Sequence, residues 1–152
     1  MSESGDTVDA INHMMATVIP ALGKMGVKAV EARRGFAASS VPIEGNSNHF
    51  GAMYAGILFS VAEVLGGVIA TSTFDSSKYF PLVKDLQISF RRPATTDVRA
   101  EVSLDDATID KATADAKENG KAEFFLDAVV TDANGVTVAT THGTYQLRVL
   151  PS

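Results

Sequence analysis

The sequence predicts an α+β fold in which one long antiparallel sheet wraps around a single apolar helix. The segment 53–71 is almost wholly apolar and has the length of a helix, whereas most of the chain after residue 85 alternates between apolar and polar residues. The chain has 152 residues, of which 45% are hydrophobic, enough for one packed core. We therefore expect one domain over residues 1–152.

The first predicted element is an N-terminal helix over residues 6–24. Asp6 or Thr7 can cap it, and apolar residues recur along it at helical spacing. Pro20 either kinks this helix or opens a second short turn. The segment that follows, 27–43, is mixed and β-tolerant, and it predicts one strand.

The central helix is expected over residues 53–71, after a loop rich in turn-forming residues from Glu44 to Gly51. The helix is almost long enough to cross a bilayer, but Glu63 lies near its middle. A central acid costs about 2.5–3.5 kcal/mol in a membrane, whereas a helix buried on all sides by protein explains the same pattern without that cost. We therefore expect a core helix and no membrane partner.

Two alternating strands follow, around residues 86–91 and 98–104. In each of them, apolar residues share one face and polar residues share the other. The short segment 93–97 lies between them, and we expect it to be a hairpin-like connection.

The last part of the chain predicts a helix and a hairpin. The Ala-rich segment 105–119 has a narrow apolar stripe and ends before Gly120, as a short exposed helix would. Residues 121–131 and 136–149 are strands around a turn that contains Asn-Gly. The apolar phase reverses within the last strand, which predicts a bulge near Gly143.

Composition excludes several classes of function. The net charge of −5 and the lack of a basic run longer than two residues argue against a nucleic-acid partner. The absence of Cys excludes a disulfide scaffold and cysteine catalysis, and three scattered His residues give no metal-ligand spacing. The stretch Met1–Asp6 is acidic and polar, unlike a signal peptide, so we expect a cytoplasmic protein.

Glu63 is the most informative residue because it is the only charged group in the central helix. A buried carboxylate must be hydrogen-bonded, protonated or facing a cavity, and a Glu with a purely structural role and satisfied hydrogen bonds is an equally good explanation.

The loop before the helix favours a functional site over a purely structural role. Asn48 precedes the helix, and Ala55 and Gly56 lie in its first turn, where unpaired backbone N–H groups could hold a polarised carbonyl oxygen. Asn48 alone is better explained as a residue that caps the loop.

These residues resemble the hotdog-fold acyl-coenzyme A thioesterases of the phenylacetate-pathway type. In that family an Asn precedes a His-Gly-Gly at the start of the central helix, and an Asp or Glu follows eight residues after the first of those glycines. Here Asn48 matches the Asn, Glu63 matches the acid, and Tyr54, Ala55 and Gly56 stand where His-Gly-Gly would. Tyr for His and Ala for Gly are departures from the family pattern.

Two later segments also resemble this family. Residues 85–94 look like its strand that ends in a Pro-Ala turn, and residues 132–140 look like its final hairpin. The N-terminal helix and the insertion at 105–119 look more like an uncharacterised, divergent subgroup. Val83 is a further departure, because some members have a Ser or Thr there that positions the nucleophilic water.

The resemblance implies hydrolysis of a thioester at a site between two subunits. The backbone N–H of Ala55, with that of Gly56, would polarise the thioester carbonyl. Glu63 would activate water as a general base or attack to give a mixed anhydride, and Asn48 would orient the water or the carbonyl. The implied assembly is a homodimer or a dimer of dimers. Coenzyme A would enter as part of the substrate, with no further cofactor and no metal.

The remaining candidate residues would bind the substrate. Tyr54 would line the acyl or pantetheine tunnel, and Val83 would lie near the water. Lys84, Arg91 and Arg92 could hold the phosphates of the coenzyme at the rim, although a solvated strand end explains each of them singly.

Two other functions stay open at this point. A module that binds acyl-CoA without turnover would keep the pocket and lack the chemistry. A hydratase or dehydratase would pair a His with a carboxylate, and His49 or His142 could serve, although a surface loop explains His49 better. The acyl chain length and the preference for aromatic or aliphatic groups are not determined by these residues.

Overall fold

The architecture is a curved six-stranded antiparallel sheet that wraps around one long helix. The structure, a computed structural model, describes residues 3–151. Met1 and Ser2, which belong to the stretch that argued against a signal peptide, lie outside this range. The predicted α+β architecture is confirmed.

Eleven elements follow one another in the described chain. They are α1 (Glu3–Val18), α2 (Pro20–Met25), β1 (Lys28–Arg33), β2 (Phe36–Val41), α3 (Ala55–Glu63), α4 (Leu65–Thr73), β3 (Tyr79–Phe90), β4 (Val98–Ser103), α5 (Asp106–Asn119), β5 (Lys121–Asp132) and β6 (Thr137–Val149). The strand order in the sheet is β1-β2-β4-β5-β6-β3, and all neighbouring strands are antiparallel.

The N-terminal helical segment consists of two helices rather than one helix over residues 6–24. The chain leaves α1 after Val18, and Pro20 occupies the first turn of α2. Proline suits this position because its fixed φ is helical and its missing N–H would have no partner there. Of the two alternatives for Pro20, the second helical turn is therefore the one observed.

The expectation of one strand over residues 27–43 is wrong. This segment is a hairpin in which β1 and β2 pair through a two-residue turn at Arg34 and Gly35. Gly35 has a φ of +77°, and a Cβ at this position would lie 2.8 Å from the carbonyl oxygen of Leu104. Glycine is therefore required at the turn for both reasons.

The central helical segment runs from Ala55 to Thr73, two residues later than predicted, and it bends at Val64 between α3 and α4. Two hydroxyl groups bond carbonyl oxygens at this bend. The Ser39 hydroxyl donates to the Val61 carbonyl over 2.5 Å, and the Tyr145 hydroxyl donates to the Glu63 carbonyl over 3.2 Å. The sheet therefore holds the helix backbone at the bend, where Glu63 is located.

Among the described residues, Ala55–Thr73 is the one helix with the length and composition of a membrane span. Of the most apolar 18-residue stretch of this helix, 56% is buried inside the protein. Val61, Leu65 and Ile69 are completely covered, and the helix contacts strands on most of its length. This packing accounts for the apolar character of the helix without a membrane.

The expected hairpin-like connection between β3 and β4 is also wrong. β3 lies at the edge of the sheet beside β6, and two strands, β5 and β6, separate it from β4. The connection 93–97 therefore crosses the molecule, and it passes the start of α3, where the Ala94 carbonyl accepts a hydrogen bond from the Met53 N–H over 2.7 Å. This crossing brings the end of β3 to the loop before the helix.

The helix predicted at 105–119 and the final hairpin are both observed. The Asp105 carboxylate accepts a hydrogen bond from the Thr108 N–H over 2.8 Å at the N-cap of α5, and Gly120 ends the helix with a φ of 74°. α5 closes on the sheet through Ala112 and Ala116, which are buried.

The bulge in the last strand is at Val138, not near Gly143. In the pairing with β5, Thr137 and Ala139 oppose consecutive residues, so Val138 is the extra residue. Pairing around Gly143 with β5 is regular. A Cβ at Gly143 would lie 2.7 Å from atoms of the Leu86 and Tyr145 side chains, so this glycine makes room for their packing.

Candidate functional site

Glu63 lies at the bend of the central helix and lines a cavity of about 440 Å³. One wall of the cavity is α1, the second is the helical segment around Glu63, and the third is the first half of β3. The lining side chains other than Glu63 are almost all apolar: Ile11, Met14, Met15, Val18, Ile19, Val64, Gly67, Val68, Thr71, Phe80, Pro81, Leu82, Val83 and Tyr145.

The Glu63 carboxyl group has no hydrogen-bond partner and no ion-pair partner among the described residues. Burial raises its pKa above the ordinary value, because the charged form loses hydration and gains no compensating contact. Of the alternatives for a buried carboxylate, the structure therefore shows the one that faces a cavity. Such a group can take a proton from a molecule that enters the cavity.

Tyr145 fixes the backbone at Glu63. Its ring stacks on Phe124, with 5.7 Å between the ring centroids, and a Cβ at Gly66 would lie 2.0 Å from the ring. Burial, and then the charge of Glu63, raise the pKa of the Tyr145 hydroxyl, so this phenol stays neutral. Its hydrogen bond goes to the Glu63 backbone, not to the carboxylate. Tyr145 was not predicted as a site residue, and its only signal in the sequence is two glycines at positions where the ring packs.

Asn48 shapes the loop before the helix. Its side-chain oxygen accepts hydrogen bonds from the N–H groups of Phe50 and Ala52, over 2.9 and 3.2 Å. The loop-capping explanation therefore holds for the oxygen. The side-chain nitrogen has no partner among the described residues, and it remains free to donate.

A second asparagine, Asn46, anchors the same loop and was not identified from the sequence. It is buried, and its side-chain nitrogen donates to the carbonyl oxygens of Met25 and Pro42 over 2.7 and 2.8 Å. Its backbone carbonyl accepts from the Tyr54 N–H over 2.9 Å. Asn46 thus sets where α3 begins.

The first N–H groups of α3 are available to a ligand. No acceptor in the described chain pairs with the N–H of Ala55 or Gly56. Tyr54 is the N-cap residue, and its side chain makes no capping hydrogen bond. The Tyr54 ring is 59% exposed and lies over Gly56, since a Cβ there would be 2.7 Å from the ring.

Ala55 lines a second cavity, of about 510 Å³, that is separate from the Glu63 cavity. Its lining comes from the loop, the start of α3 and the crossing connection: Asn48, Phe50, Ala52, Met53, Ala55, Leu58, Phe90, Arg91, Arg92, Pro93, Ala94 and Thr95. Arg91 and Arg92 are exposed, and neither forms an ion pair in the described chain. The cavity therefore combines free backbone donors with uncompensated positive charge.

One subunit does not bring the acid and the N–H donors together. Ala55 and Glu63 are eight residues apart, which is about 12 Å along a helix. A general base must lie within hydrogen-bond reach of its proton, so Glu63 cannot serve a carbonyl bound at Ala55 of its own chain.

The structure places Val83 and Lys84 in different parts of the surface. Val83 is on the rim of the Glu63 cavity, 45% exposed. Lys84 lines neither of the two cavities; it lies in a surface groove near α5 and forms an ion pair with Glu123 over 2.7 Å.

No His lines the Glu63 cavity. His49 is exposed and packs against the Phe50 ring, and His142 contacts Asp127 over 2.7 Å. The described residues contain no group of three or more His, Asp or Glu that could hold a metal ion.

The role of α1 in the cavity was not predicted, because helical spacing of its apolar residues does not show what they pack against. Ile11 and Met15 are indeed buried. Val18 and Ile19 are 69% and 46% exposed, and they face the cavity with Met14. The available signal was an apolar stripe wider than a core contact requires.

Comparison with known structures shows close relatives of this fold. A protein of unknown function from Pseudomonas aeruginosa, described as a probable thioesterase, is 38% identical over 93% of this chain and 95% of its own, with a TM-score of 0.86. A protein of unknown function from Chlorobaculum tepidum is 15% identical over 95% and 96%, with a TM-score of 0.84. A thioesterase from Haemophilus influenzae is 12% identical over 95% and 92%, with a TM-score of 0.75.

No curated protein sequence matches this chain. The sequence profile described as "Domain of unknown function (DUF4442)" matches residues 8–149. This match spans nearly the whole sequence, from α1 to the last residue of β6. The chain therefore belongs to the DUF4442 family.

Proposed function

We propose that this protein is an acyl-CoA thioesterase with a hotdog fold, distantly related to the phenylacetate-pathway type. The observation that carries the proposal is Glu63, a half-buried carboxylate without a partner among the described residues that faces an apolar cavity. The same helix carries free N–H donors at its start. The 38% identical relative described as a probable thioesterase supports this reaction class.

In the proposed reaction, water attacks the thioester carbonyl carbon while Glu63 takes one of its protons. The N–H groups of Ala55 and Gly56 hold the oxygen that becomes negative in the tetrahedral intermediate. The carbon–sulfur bond then breaks, and the Glu63 carboxyl returns the proton to the leaving thiolate. The products are a carboxylic acid and free coenzyme A.

The distance between the two groups leads us to propose a site shared by two subunits. In a two-fold dimer the same surface of each chain meets its copy, so the start of one central helix can lie beside Glu63 of the other. Each dimer would then contain two sites, each with Asn48 and Ala55 from one chain and Glu63 from its partner. A dimer of dimers would keep the same sites.

Charge suggests where the coenzyme binds. Arg91 and Arg92 are exposed, uncompensated and next to the N–H donors, so they suit the phosphate groups of coenzyme A. Lys84 is not included, because Glu123 already neutralises it. Tyr54 is exposed at the N-cap of α3, where its ring can contact the pantetheine arm. The proposal requires no other cofactor and no metal, and it is compatible with a cytoplasmic location.

A binding module without turnover is the second candidate. Tyr54 and Val83 stand where members of the resembled family have His and Ser or Thr, so two auxiliary groups are missing. The hydratase is not proposed, since no His shares the cavity with Glu63.

A panel of acyl-CoA substrates with a thiol-detecting reagent tests the proposal. Wild-type protein should release free thiol, and Glu63→Gln should lower kcat by about 10²–10⁴ while ligand-induced thermal stabilisation persists. Asn48→Asp keeps the oxygen that holds the loop and removes the free side-chain N–H. It therefore separates a role in the reaction from the loop-capping role that Asn48→Ala would also remove. Thermal stabilisation by acyl-CoA without any thiol release would support the binding module instead.

A further inference from the structure

We infer that the Glu63 cavity accepts an unbranched, uncharged aliphatic acyl chain, and that Gly67 determines how long this chain can be. The inference rests on the proposed function, because it assigns the acyl half of that site. It concerns α1 and α4, neither of which has a role in the chemistry proposed above.

Gly67 has no structural reason to be a glycine. It lies inside α4, its φ is not positive, and a Cβ added there would meet no atom within 4 Å. Glycine inside a helix costs about 0.5–1 kcal/mol relative to alanine. The preceding residue, Gly66, is different, because its Cβ would collide with the Tyr145 ring.

Because Gly67 has no side chain, it leaves space in the cavity. Gly67 lines the Glu63 cavity one helical turn after Glu63, beside Val64 and Val68. A larger side chain there would occupy the cavity next to the carboxyl group. An acyl chain that starts at the reacting carbonyl near Glu63 would have to pass this position.

The shape of the cavity favours a chain over a ring. Its wall on α1 extends from Ile11 to Val18, about 10 Å of helix, and its lining also includes the β3 residues Leu82 and Val83. Met14 and Met15 contribute flexible, unbranched side chains, which adapt to chains of different conformation. The Tyr145 ring is already stacked on Phe124 and is not free to stack on a substrate.

The charge of the cavity favours an uncharged acyl group. Glu63 is the only charged residue in its lining, and no Lys or Arg is present to bind a second carboxylate. A dicarboxylic acyl group would place its free carboxylate in an apolar cleft near Glu63, where it would lose hydration and be repelled. The exposed apolar residues Met14, Val18, Leu82 and Val83 are instead covered when an aliphatic chain lies between them.

The test is the chain-length profile of Gly67→Leu compared with wild type. The substrates are the straight-chain CoA thioesters from butyryl to palmitoyl, with phenylacetyl-CoA and succinyl-CoA for the other acyl classes. For wild type we expect kcat/KM to rise with chain length to a maximum and to be low for the aromatic and dicarboxylic substrates. In Gly67→Leu the longest good substrate of the wild type should lose about 10- to 200-fold in kcat/KM, while butyryl-CoA stays within about threefold.

Two matched variants complete the experiment. Thr17→Leu adds a similar apolar group to an exposed position of α1 outside the cavity, and its profile should equal that of wild type. Gly67→Ala should move the maximum only slightly.

An unchanged profile in Gly67→Leu, or a wild-type preference for phenylacetyl-CoA, would overturn this inference without contradicting the proposed thioesterase function. Dissociation of the Gly67→Leu oligomer with equal losses on all substrates would also overturn it, because a partner subunit would then fill the space. A wild type without turnover on any substrate would contradict the proposed function itself.

Discussion

At the scale of single residues, the charge of Glu63 makes the fold sensitive to pH. Burial raises its pKa above the ordinary value of 4.5, so between these two values the folded chain binds more protons than the unfolded chain. The free energy of unfolding therefore falls as the pH rises through this window, and the loss stays constant above it. Since glutamine has no charge to desolvate, Glu63→Gln should melt at a higher temperature than wild type at about pH 7.

This stability difference should disappear at low pH. Below the ordinary value of 4.5, Glu63 is protonated in both the folded and the unfolded state, so wild type and Glu63→Gln should converge. Thermal melts of both proteins across the acidic range measure this directly. A difference in melting temperature that does not change with pH would show that the carboxylate is not destabilised by burial. In the active protein, kcat/KM should rise with pH through the same raised pKa, because only the ionised carboxyl can accept a proton.

Tyr54 stands where the resembled family has a His, and we predict that its hydroxyl has no chemical role. A phenol transfers protons at neutral pH less readily than the imidazole that it replaces. The ring itself covers Gly56, and phenylalanine would keep that contact. Tyr54→Phe should therefore keep kcat within about threefold of wild type, whereas loss of a general acid or base costs at least about 10². A loss of that larger size, at an unchanged melting temperature, would assign the hydroxyl to the reaction.

At the scale of elements, two adjacent glycines of α4 should respond to the same substitution with opposite signs. Gly66→Ala places a methyl group against the Tyr145 ring, which Phe124 holds in place, and such overpacking typically costs about 1–3 kcal/mol. Gly67→Ala adds its methyl group in open space and should stabilise the fold by about 0.4–1 kcal/mol. Chemical denaturation of the two variants measures both effects. Destabilisation of Gly67→Ala would show that this surface is covered in the native assembly.

The elements also show which features a sequence pattern can predict. The central helix and the final hairpin were predictable because their signals are local: an unbroken apolar run in one case, and Asn-Gly between alternating residues in the other. The β1–β2 hairpin was missed since its turn needs a positive φ only at Gly35, without the asparagine that marks the later turn. The bulge was predicted near Gly143 because a glycine within a strand often marks a bulge, but the bulge is at Val138. Gly143 instead makes room for the side chains of Leu86 and Tyr145.

The candidate site was predictable only in part, for a related reason. Glu63, Asn48 and the N–H groups of Ala55 are placed by the central helix and the loop before it, so their relative spacing follows from one continuous segment. The α1 residues that wall the cavity reach Glu63 through tertiary packing. The position of β3 beside β6 also depends on a connection that crosses the molecule rather than on local sequence. No local pattern contains this information.

At the scale of the whole molecule, β3 predicts a dimer. It is a strand of twelve residues that pairs only with β6, so one of its edges is open in the described chain. Long open edges invite pairing with another chain, and the apolar side chains of Leu82, Val83 and Phe90 are exposed on this strand. Light scattering at micromolar concentration should show at least a dimer, and amide hydrogen exchange should be slower on the open edge of β3 than on the open edge of β1, at the other side of the sheet. A monomer would contradict both the pairing and the shared site.

A site shared by two subunits can be tested with two variants. One lacks the carbonyl-binding N–H group at Ala55, and the other lacks the carboxylate of Glu63. Ala55→Pro removes the proposed carbonyl-binding N–H without disturbing the fold. Ala55 is exposed at the first position of α3, where proline is favoured, and Tyr54 already has the extended conformation that proline requires of its neighbour. This variant should lose about 10²–10³ in kcat at an unchanged or higher melting temperature.

Mixing Ala55→Pro with Glu63→Gln should then restore activity that neither protein has alone. If subunits exchange at random, half of the dimers contain one chain of each kind. In such a dimer one site combines the intact Ala55 N–H of the Glu63→Gln chain with the intact Glu63 of the Ala55→Pro chain, while the other site carries both defects. The mixture should therefore reach about a quarter of the wild-type activity after refolding together. If each site instead belonged to one chain, every site in the mixture would carry one defect. Activity would then stay at the level of the separate variants, and the arrangement of Asn48, Ala55 and Glu63 across two subunits would be wrong.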